Sequence, residues 1–308
     1  MRIHTHFSDL LHVKNNVVTI GTFDGVHLGH CAILERLKTL TKKIGGESVL
    51  LTFYPHPRMI LHPEDHNIKL LNSPNEKANL LEKAGIDHLM IHPFSAEFSR
   101  LSPFDYVRDL LVTGLHAHTI IVGYDHRFGR NREGNHQTLL ELSETFGFQV
   151  EEIPAHMIDN VNVSSTKIRN ALQSGAVKEA NKYLGYSYSI SGTVANGDGL
   201  GRTFGFPTAN ISVDYAYKLI PANGVYSVHV LIGQKKLQGV MSIGVRPTIN
   251  DHNLQTLEVF IFDFNENIYG EKINVELVEY IRPEMKFGSI DEMKQWIERD
   301  ILIAKSTF

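Results

Sequence analysis

The chain has 308 residues, with 30 Lys or Arg against 34 Asp or Glu, a formal charge of −4. That length leaves room for two domains with sizeable cores, and the near balance of charge gives no electrostatic basis for non-specific binding to nucleic acid or to a membrane surface. A single cysteine, Cys31, excludes an internal disulfide and a thiolate zinc site, and no apolar run reaches the length of a membrane span or forms a secretory leader, so the expected setting is the cytoplasm.

Residues 17–184 alternate short apolar runs with helical patterns. Val17–Ile20, Val49–Phe53, His88–Ile91, Thr119–Val122 and Phe148–Ile153 are short, branched and continuous, as buried parallel strands are. After His30, residues Ile33, Leu34, Leu37, Leu40 and Ile44 share one helical face that stops at Gly45-Gly46. Ser73-Pro74-Asn75-Glu76 is a capping box with proline at the first helical position, and Ser102-Pro103 opens a helix running to Gly114. Asn135 precedes a periodic stretch to Phe146, Ser164-Ser165-Thr166 opens a helix to Leu172, and a short helix spans 176–184. The alternation predicts an α/β domain over 1–184, a parallel sheet covered by helices on both faces.

A bland linker at 184–188 leads into a second domain, 185–308, where the period falls to two. Tyr188–Val194, Gly224–Ile232, Leu237–Ile243, Thr256–Phe264 and Ile273–Ile281 read as strands between Gly, Asn and Pro turns. They predict a mainly-β antiparallel barrel. A terminal helix follows, opened by a capping box at Ser289-Ile290-Asp291-Glu292 and striped by Ile290, Met293, Ile297 and Ile301.

The strongest local pattern is Gly21-Thr22-Phe23-Asp24-Gly25-Val26-His27-Leu28-Gly29-His30, between the first strand and the first helix. In a doubly wound sheet that position faces the ligand crevice. Gly21, Gly25 and Gly29 let backbone approach a phosphate, and N–H groups at a helix start attract anions. His27 and His30, three apart, project from one face of the turn. They suit hydrogen bonds to phosphate oxygens, or a metal lacking an evident third ligand. A glycine-rich turn with no ligand is the plain alternative.

This ten-residue pattern resembles the signature of the adenylyltransferase module of bacterial bifunctional riboflavin kinase/FAD synthetases, which belong to the wider nucleotidyltransferase superfamily with an H-x-G-H motif. The resemblance implies a Rossmann-like nucleotidyltransferase domain. It implies that His27 and His30 are catalytic and that Gly21, Phe23, Asp24, Gly25 and Gly29 bind nucleotide. Ser164, Ser165, Thr166 and Arg169 resemble the family's S-S-T-x-x-R motif and are expected at the triphosphate; read alone they are an ordinary serine cap with a solvated arginine. Gly123-Tyr124-Asp125-His126-Arg127-Phe128-Gly129 leaves a strand at its carboxyl end, and Asp125 matches a nucleotide-contacting position. His126 stands where the family more often has an aromatic residue.

In the second domain Gly197-Asp198-Gly199-Leu200-Gly201-Arg202-Thr203-Phe204-Gly205-Phe206-Pro207-Thr208-Ala209-Asn210 is glycine-dense and then rigid. It lacks the ending of a P-loop. Its G-F-P-T-A-N resembles the P-T-A-N motif of riboflavin kinases. The resemblance implies that Thr208 and Asn210 hold Mg²⁺, and that Gly197, Gly199, Gly201, Arg202 and Pro207 line the nucleotide. Glu258 shares a strand face with Phe260 and Phe262. By pattern it is either a surface carboxylate or a group in a pocket; the resemblance makes it the catalytic base. Gly244-Val245-Arg246-Pro247-Thr248 and Arg282-Pro283-Glu284 also fit the family, although Ser242 stands where asparagine is common. Arg282 is expected at flavin, with a surface arginine before a helix as the plain reading.

The implied activity is two transfers from ATP with Mg²⁺: phosphorylation of riboflavin to FMN, then adenylylation of FMN to FAD and pyrophosphate. Riboflavin, FMN and ATP are the expected partners, with no nucleic acid and no membrane. A lone adenylyltransferase, a flavin-sensing protein and an RNA-acting relative are the rival readings. Of the 17 histidines, only His27 and His30 occupy positions that ask for imidazole, and His56 and His126 stand at strand ends facing the crevice. The other thirteen read as surface or loop residues.

Overall fold

The coordinates are a computed structural model describing residues 1–65, 68–154, 163–197, 200–246 and 254–308. Two compact units result, Met1–Ser164 and Ser165–Phe308. The helices of 165–184 therefore cluster with the barrel, although the linker legible in the sequence follows them.

In the first unit, strands β1 (Arg2–His4), β2 (Asn16–Ile20), β3 (Ser48–Tyr54), β4 (His88–Pro93), β5 (Ala117–Gly123) and β6 (Gln149–Ile153) form a parallel sheet in the order β1-β4-β3-β2-β5-β6. The helices are α1 (Leu28–Ile44), α2 (Pro57–Leu61), α3 (Pro74–Lys83), α4 (a first turn Pro103–Asp105 continued as a π-helix Tyr106–Gly114) and α5 (His136–Phe146). Both sheet faces are buried. Val18, Ile20, Val49 and Leu51 pack with Tyr106, Leu110 and Leu139 of α4 and α5. Val17 and Leu50 pack with Leu34, Leu37, Ala78 and Leu81 of α1 and α3. Local chemistry sets the ends: Gly45 closes α1 in the left-handed region at φ 62°. Ser73 and Glu76 exchange both bonds of the expected capping box.

The sheet has six strands, one more than the sequence pattern predicts. β1 is three residues of Arg-Ile-His and carries no apolar run; it is defined by its pairing with β4. That pairing also corrects the placing of two histidines at the surface. His88 is 1% exposed. One ring nitrogen lies 2.6 Å from Glu47 and the other 2.9 Å from His4, which approaches Asp9 at 3.8 Å.

The second unit opens with α6 (Ser165–Gln173) and α7 (Val177–Leu184). Strands β7 (Ser189–Ala195), β8 (Ala209–Val213), β9 (Gly224–Ile232), β10 (Lys235–Arg246), β11 (Leu254–Ile261) and β12 (Lys272–Arg282) then close an antiparallel barrel in the order β10-β11-β8-β7-β12-β9. β8 is the strand the sequence pattern omits, because its residues are the tail of the P-T-A-N segment. The terminal helix α8 (Ile290–Lys305) is capped by Ser289, whose hydroxyl accepts from the Glu292 N–H. The returning bond of the expected box is displaced by one residue: the Glu292 carboxylate accepts from Gly288 N–H at 2.8 Å. Phe262, Val240 and Ala304 form the core between barrel and α8. Arg282 fastens the same seam, donating to the buried Asp300 through Nε at 2.9 Å and Nη2 at 2.7 Å.

Candidate active sites

In the first unit the strand order turns back around β2. The sheet grows from β2 to β3 and β4 on one side and to β5 and β6 on the other, and a crevice opens at such a reversal. The segment Gly21–His27 leaves β2 there and delivers the start of α1. It is a forced turn. Phe23 and Val26 have φ of 46° and 36°, a region that β-branched and bulky side chains avoid, and Gly25 has φ 93°. Phe23 turns its ring across Gly21, where any Cβ would sit about 3.0 Å from it.

His27 is the N-cap of α1, and its Nδ1 accepts from His30 N–H at 3.4 Å. A neutral His27 therefore carries its proton on Nε2. The His27 and His30 rings stack with centroids 3.7 Å apart, and Phe23 lies 4.8 Å from His30. His30 Nδ1 is buried without a hydrogen-bond partner. Burial first, then His27 and Lys77, hold His30 well below the usual imidazole range. The arrangement offers imidazole N–H donors beside a helix N-terminus, which suits an anionic oxygen.

Asp24 is 2% exposed. Its Oδ1 accepts from Leu71 N–H at 2.9 Å and Asn72 N–H at 3.4 Å, tying the turn to the chain before α3. Gly29 admits close packing, since a Cβ there would meet His27 at 3.3 Å and Val163 at 3.4 Å. Val163 thus brings the end of the first unit, with Ser164, back to the start of α1. Ser165, Thr166 and Arg169 stand in α6 of the second unit.

Asp125 is exposed on the loop after β5. His126 stacks on Phe128 with centroids 5.9 Å apart and keeps Nε2 buried without a partner. Burial pushes its pKa down to about 4, against the opposing pull of Asp125.

In the barrel, the register pairs Glu258 with Asn210 of β8 on one side and Ser242 of β10 on the other. Thr208 Oγ1 donates to Glu258 Oε2 at 3.2 Å. Thr208 and Asn210, two positions apart in one segment, are thereby gathered on one patch with Glu258, 50 residues beyond Thr208. The glycines before them have a packing reason: a side chain at Gly197 would run into the Asn210 amide, and one at Gly201 into the Phe206 carbonyl and Thr208. A cavity of about 500 Å³ lies beside this patch, lined by Pro207, Thr208, Val259, Ile261, Asn267 and Tyr269 among others. Val259 and Ile261 project from the face of β11 opposite Glu258 and Phe260. Arg282 lies next to Trp296 and Phe287, at 5.5 and 5.7 Å, with its guanidinium fixed on Asp300. Gly199, Pro247 and Thr248 lie outside the described residues, as does the side chain of Arg202.

The sequence pattern passed over Lys77. Its Nζ donates to the Thr22 carbonyl at 2.6 Å, and Asp24 stabilises its charge. The available signal was a lysine in the first turn of a helix, where the dipole disfavours a cation.

Two family models match the chain, one described as FAD synthetase over residues 11–167 and one described as riboflavin kinase over 184–308. Curated relatives named bifunctional riboflavin kinase/FMN adenylyltransferase include one from Listeria monocytogenes, 37% identical over 93% of this chain and 90% of its own. Another, from Escherichia coli strain K12, is 39% identical over 95% of this chain and 92% of its own. A crystal structure from Streptococcus pneumoniae, described as a macrolide-efflux protein, superposes with TM-score 0.89 at 30% identity, covering 99% of this chain and 98% of that one.

Proposed function

The chain belongs to the bifunctional riboflavin kinase/FMN adenylyltransferase family, and on that premise we propose how its residues divide two reactions. The first phosphorylates riboflavin to FMN with ATP; the second transfers an adenylyl group from ATP to FMN, giving FAD and pyrophosphate. The start of the riboflavin kinase match at residue 184 supports a functional boundary at 184/185.

In adenylylation the nucleophile is already an anionic phosphate, so no protein base is required. What the reaction needs is position and neutralisation of the charge that grows on the leaving pyrophosphate. His27 and His30 supply donors to those oxygens at the N-terminus of α1. Gly21, Phe23, Gly25 and Gly29 shape the turn that receives the triphosphate. Asp24 acts through its grip on Leu71 and Asn72. Asp125, Ser164, Ser165, Thr166 and Arg169 are nucleotide contacts on the strength of the family motifs alone.

The kinase reaction starts from an alcohol and needs an acceptor for its proton. Glu258 is that base. The observation that carries this reading is the hydrogen bond from Thr208 to Glu258, with Asn210 opposite Glu258 in register. Pro207 and Thr208 line the cavity proposed for ATP, with Gly197, Gly199, Gly201 and Arg202 on the loop leading into it. Arg282, oriented by Asp300, is the flavin-side cation. The donors of Thr208, Asn210 and Glu258 are all hard oxygen groups, as magnesium prefers. Among the described residues no cluster of three His, Cys, Asp or Glu could hold a metal by itself. The fit is therefore to an ion carried largely by phosphate and water. Bound there through Thr208 and Asn210, Mg²⁺ would polarise the transferring phosphoryl group.

No described helix is long and apolar enough to cross a membrane; the cytoplasm is the proposed location. The test is chromatography of flavins after incubation with riboflavin, ATP and Mg²⁺. FMN followed by FAD is expected. In Glu258→Gln, riboflavin should persist while supplied FMN is still converted to FAD. In His27→Ala and His30→Ala, FMN should accumulate. FAD formed at the unaltered rate in both histidine variants would overturn the first assignment, and normal phosphorylation by Glu258→Gln the second.

A further inference from the structure

The Gly21–Val26 turn holds two bulky residues in the left-handed region, so it persists only if its surroundings hold it. Its ties include side chains from two other elements. The Thr22 carbonyl accepts from two side chains, Lys77 Nζ at 2.6 Å and Thr52 Oγ1 at 3.4 Å. The Asp24 carboxylate takes the N–H groups of Leu71 and Asn72. Lys77 therefore joins α3 to the turn from one side while Asp24 joins the turn to the chain just before α3. Two residues beyond Asp24 the chain reaches Val26, whose carbonyl lies 3.7 Å from Cys31 Sγ, and then His27. The turn thus sets where both imidazoles stand.

Lys77 is half-buried in the first turn of α3, a place where burial and the helix dipole both oppose its charge. Burial pulls its ammonium below the ordinary lysine range, and Asp24 works against that pull. The titratable groups acting on His30 are His27 from its own helix and Lys77 from α3.

We propose that Lys77 is a positioning residue for adenylyl transfer: by donating to the Thr22 carbonyl beside Asp24, it locks the strained turn that presents His27 and His30 to the triphosphate. The proposal deepens the adenylylation reading above and rests on it. The ammonium fixes the turn, and its charge adds to burial and His27 in holding His30 low.

The test compares Lys77→Met with Lys77→Arg in the full chain, following both activities in one preparation. Riboflavin phosphorylation, made by the other unit, reports the amount of intact enzyme. In Lys77→Met, kcat for FMN adenylylation should fall by about tenfold to a hundredfold, a range usual for losing one preorganised donor, with phosphorylation unchanged. Lys77→Arg, which keeps charge and donor, should recover most of the loss. Removal of a neighbouring positive charge favours protonated imidazole, so the His30 titration followed by NMR should move to higher pH in Lys77→Met and hold in Lys77→Arg. Adenylylation within twofold of the parent in Lys77→Met would overturn the proposal. So would equal loss in both variants with an unmoved His30 titration, the mark of a merely structural lysine. If His27→Ala and His30→Ala keep full adenylylation, the site reading itself fails; if they lose it while Lys77→Met does not, only this proposal falls.

Discussion

A stack of two imidazoles 3.7 Å apart resists carrying two charges, because each cation would raise the cost of the next. Burial, with His27 and Lys77, already holds His30 well below the usual imidazole range, and each ring can donate through N–H in either protonation state. At His126 burial does the work. Its pKa of about 4 lies below the ordinary histidine value of 6.5. The unfolded chain therefore binds a proton in the window between those values that the folded chain refuses. Stability is complete above about pH 6.5 and declines as pH falls toward 4, by up to about 3 kcal/mol for this one group. His126→Phe removes the proton site and retains the stack on Phe128. Urea unfolding followed by loss of adenylylation, measured at pH 7 and pH 4.5, should show a smaller difference in the variant; an equal difference would assign the acid sensitivity elsewhere. None of this was legible from the sequence. The stacking and the buried Nε2 depend on where distant segments fold, and one-dimensional spacing says only that His27 and His30 share a face.

At the scale of elements, the sequence reads well wherever a segment carries its own instructions. The capping box at Ser73 and the glycine stop at Gly45 are local chemistry, and both form as expected. Ser73→Ala should destabilise the first unit by about 1 kcal/mol, seen as a lower denaturation midpoint for adenylylation, with no change in the rate of the folded enzyme. Elements defined by their partners are the ones that escape. β1 has three residues and exists as an edge paired to β4. β8 has the sequence Ala-Asn-Ile-Ser-Val and exists because it bridges β7 and β11. The same logic hides the partners of Arg282 and His88. Asp300 looks like any helix-surface carboxylate until the barrel closes over it, and Glu47, still half-exposed, lies one residue before the strand whose neighbour carries His88.

At the scale of the whole molecule, two units with separate cores predict that damage stays local. The sole tryptophan, Trp296, lies in α8 beside Arg282 and Arg299, so its fluorescence follows the barrel unit only. Asp300→Ala removes the buried carboxylate that holds the largely buried Arg282 guanidinium and should cost about 3–5 kcal/mol. The midpoint of the Trp296 transition should fall accordingly, along with thermal survival of kinase activity. Thermal survival of adenylylation, assayed with supplied FMN, should hold. A matching drop in both activities would show that the units unfold together. The division of labour was readable at this scale, because each half carries its own dense motif; the meeting of Glu258 with Thr208 and Asn210 was not, since it arises only through strand pairing.

That register has a consequence for how this enzyme can change. Along β11 the residues alternate between two compartments, Val259 and Ile261 walling the cavity while Glu258 and Phe260 face the other way. The strand is a partition with a carboxylate on one side and an apolar wall on the other. Inserting or deleting a single residue in it would exchange the two, turning a carboxylate toward the cavity and a valine to the face that Glu258 holds. Point substitution can adjust either compartment alone, but any change of length in β11 rewrites both at once. Insertions and deletions between these strands are therefore tolerated only where the loops absorb them and the pairing of Glu258 with Asn210 is left in phase.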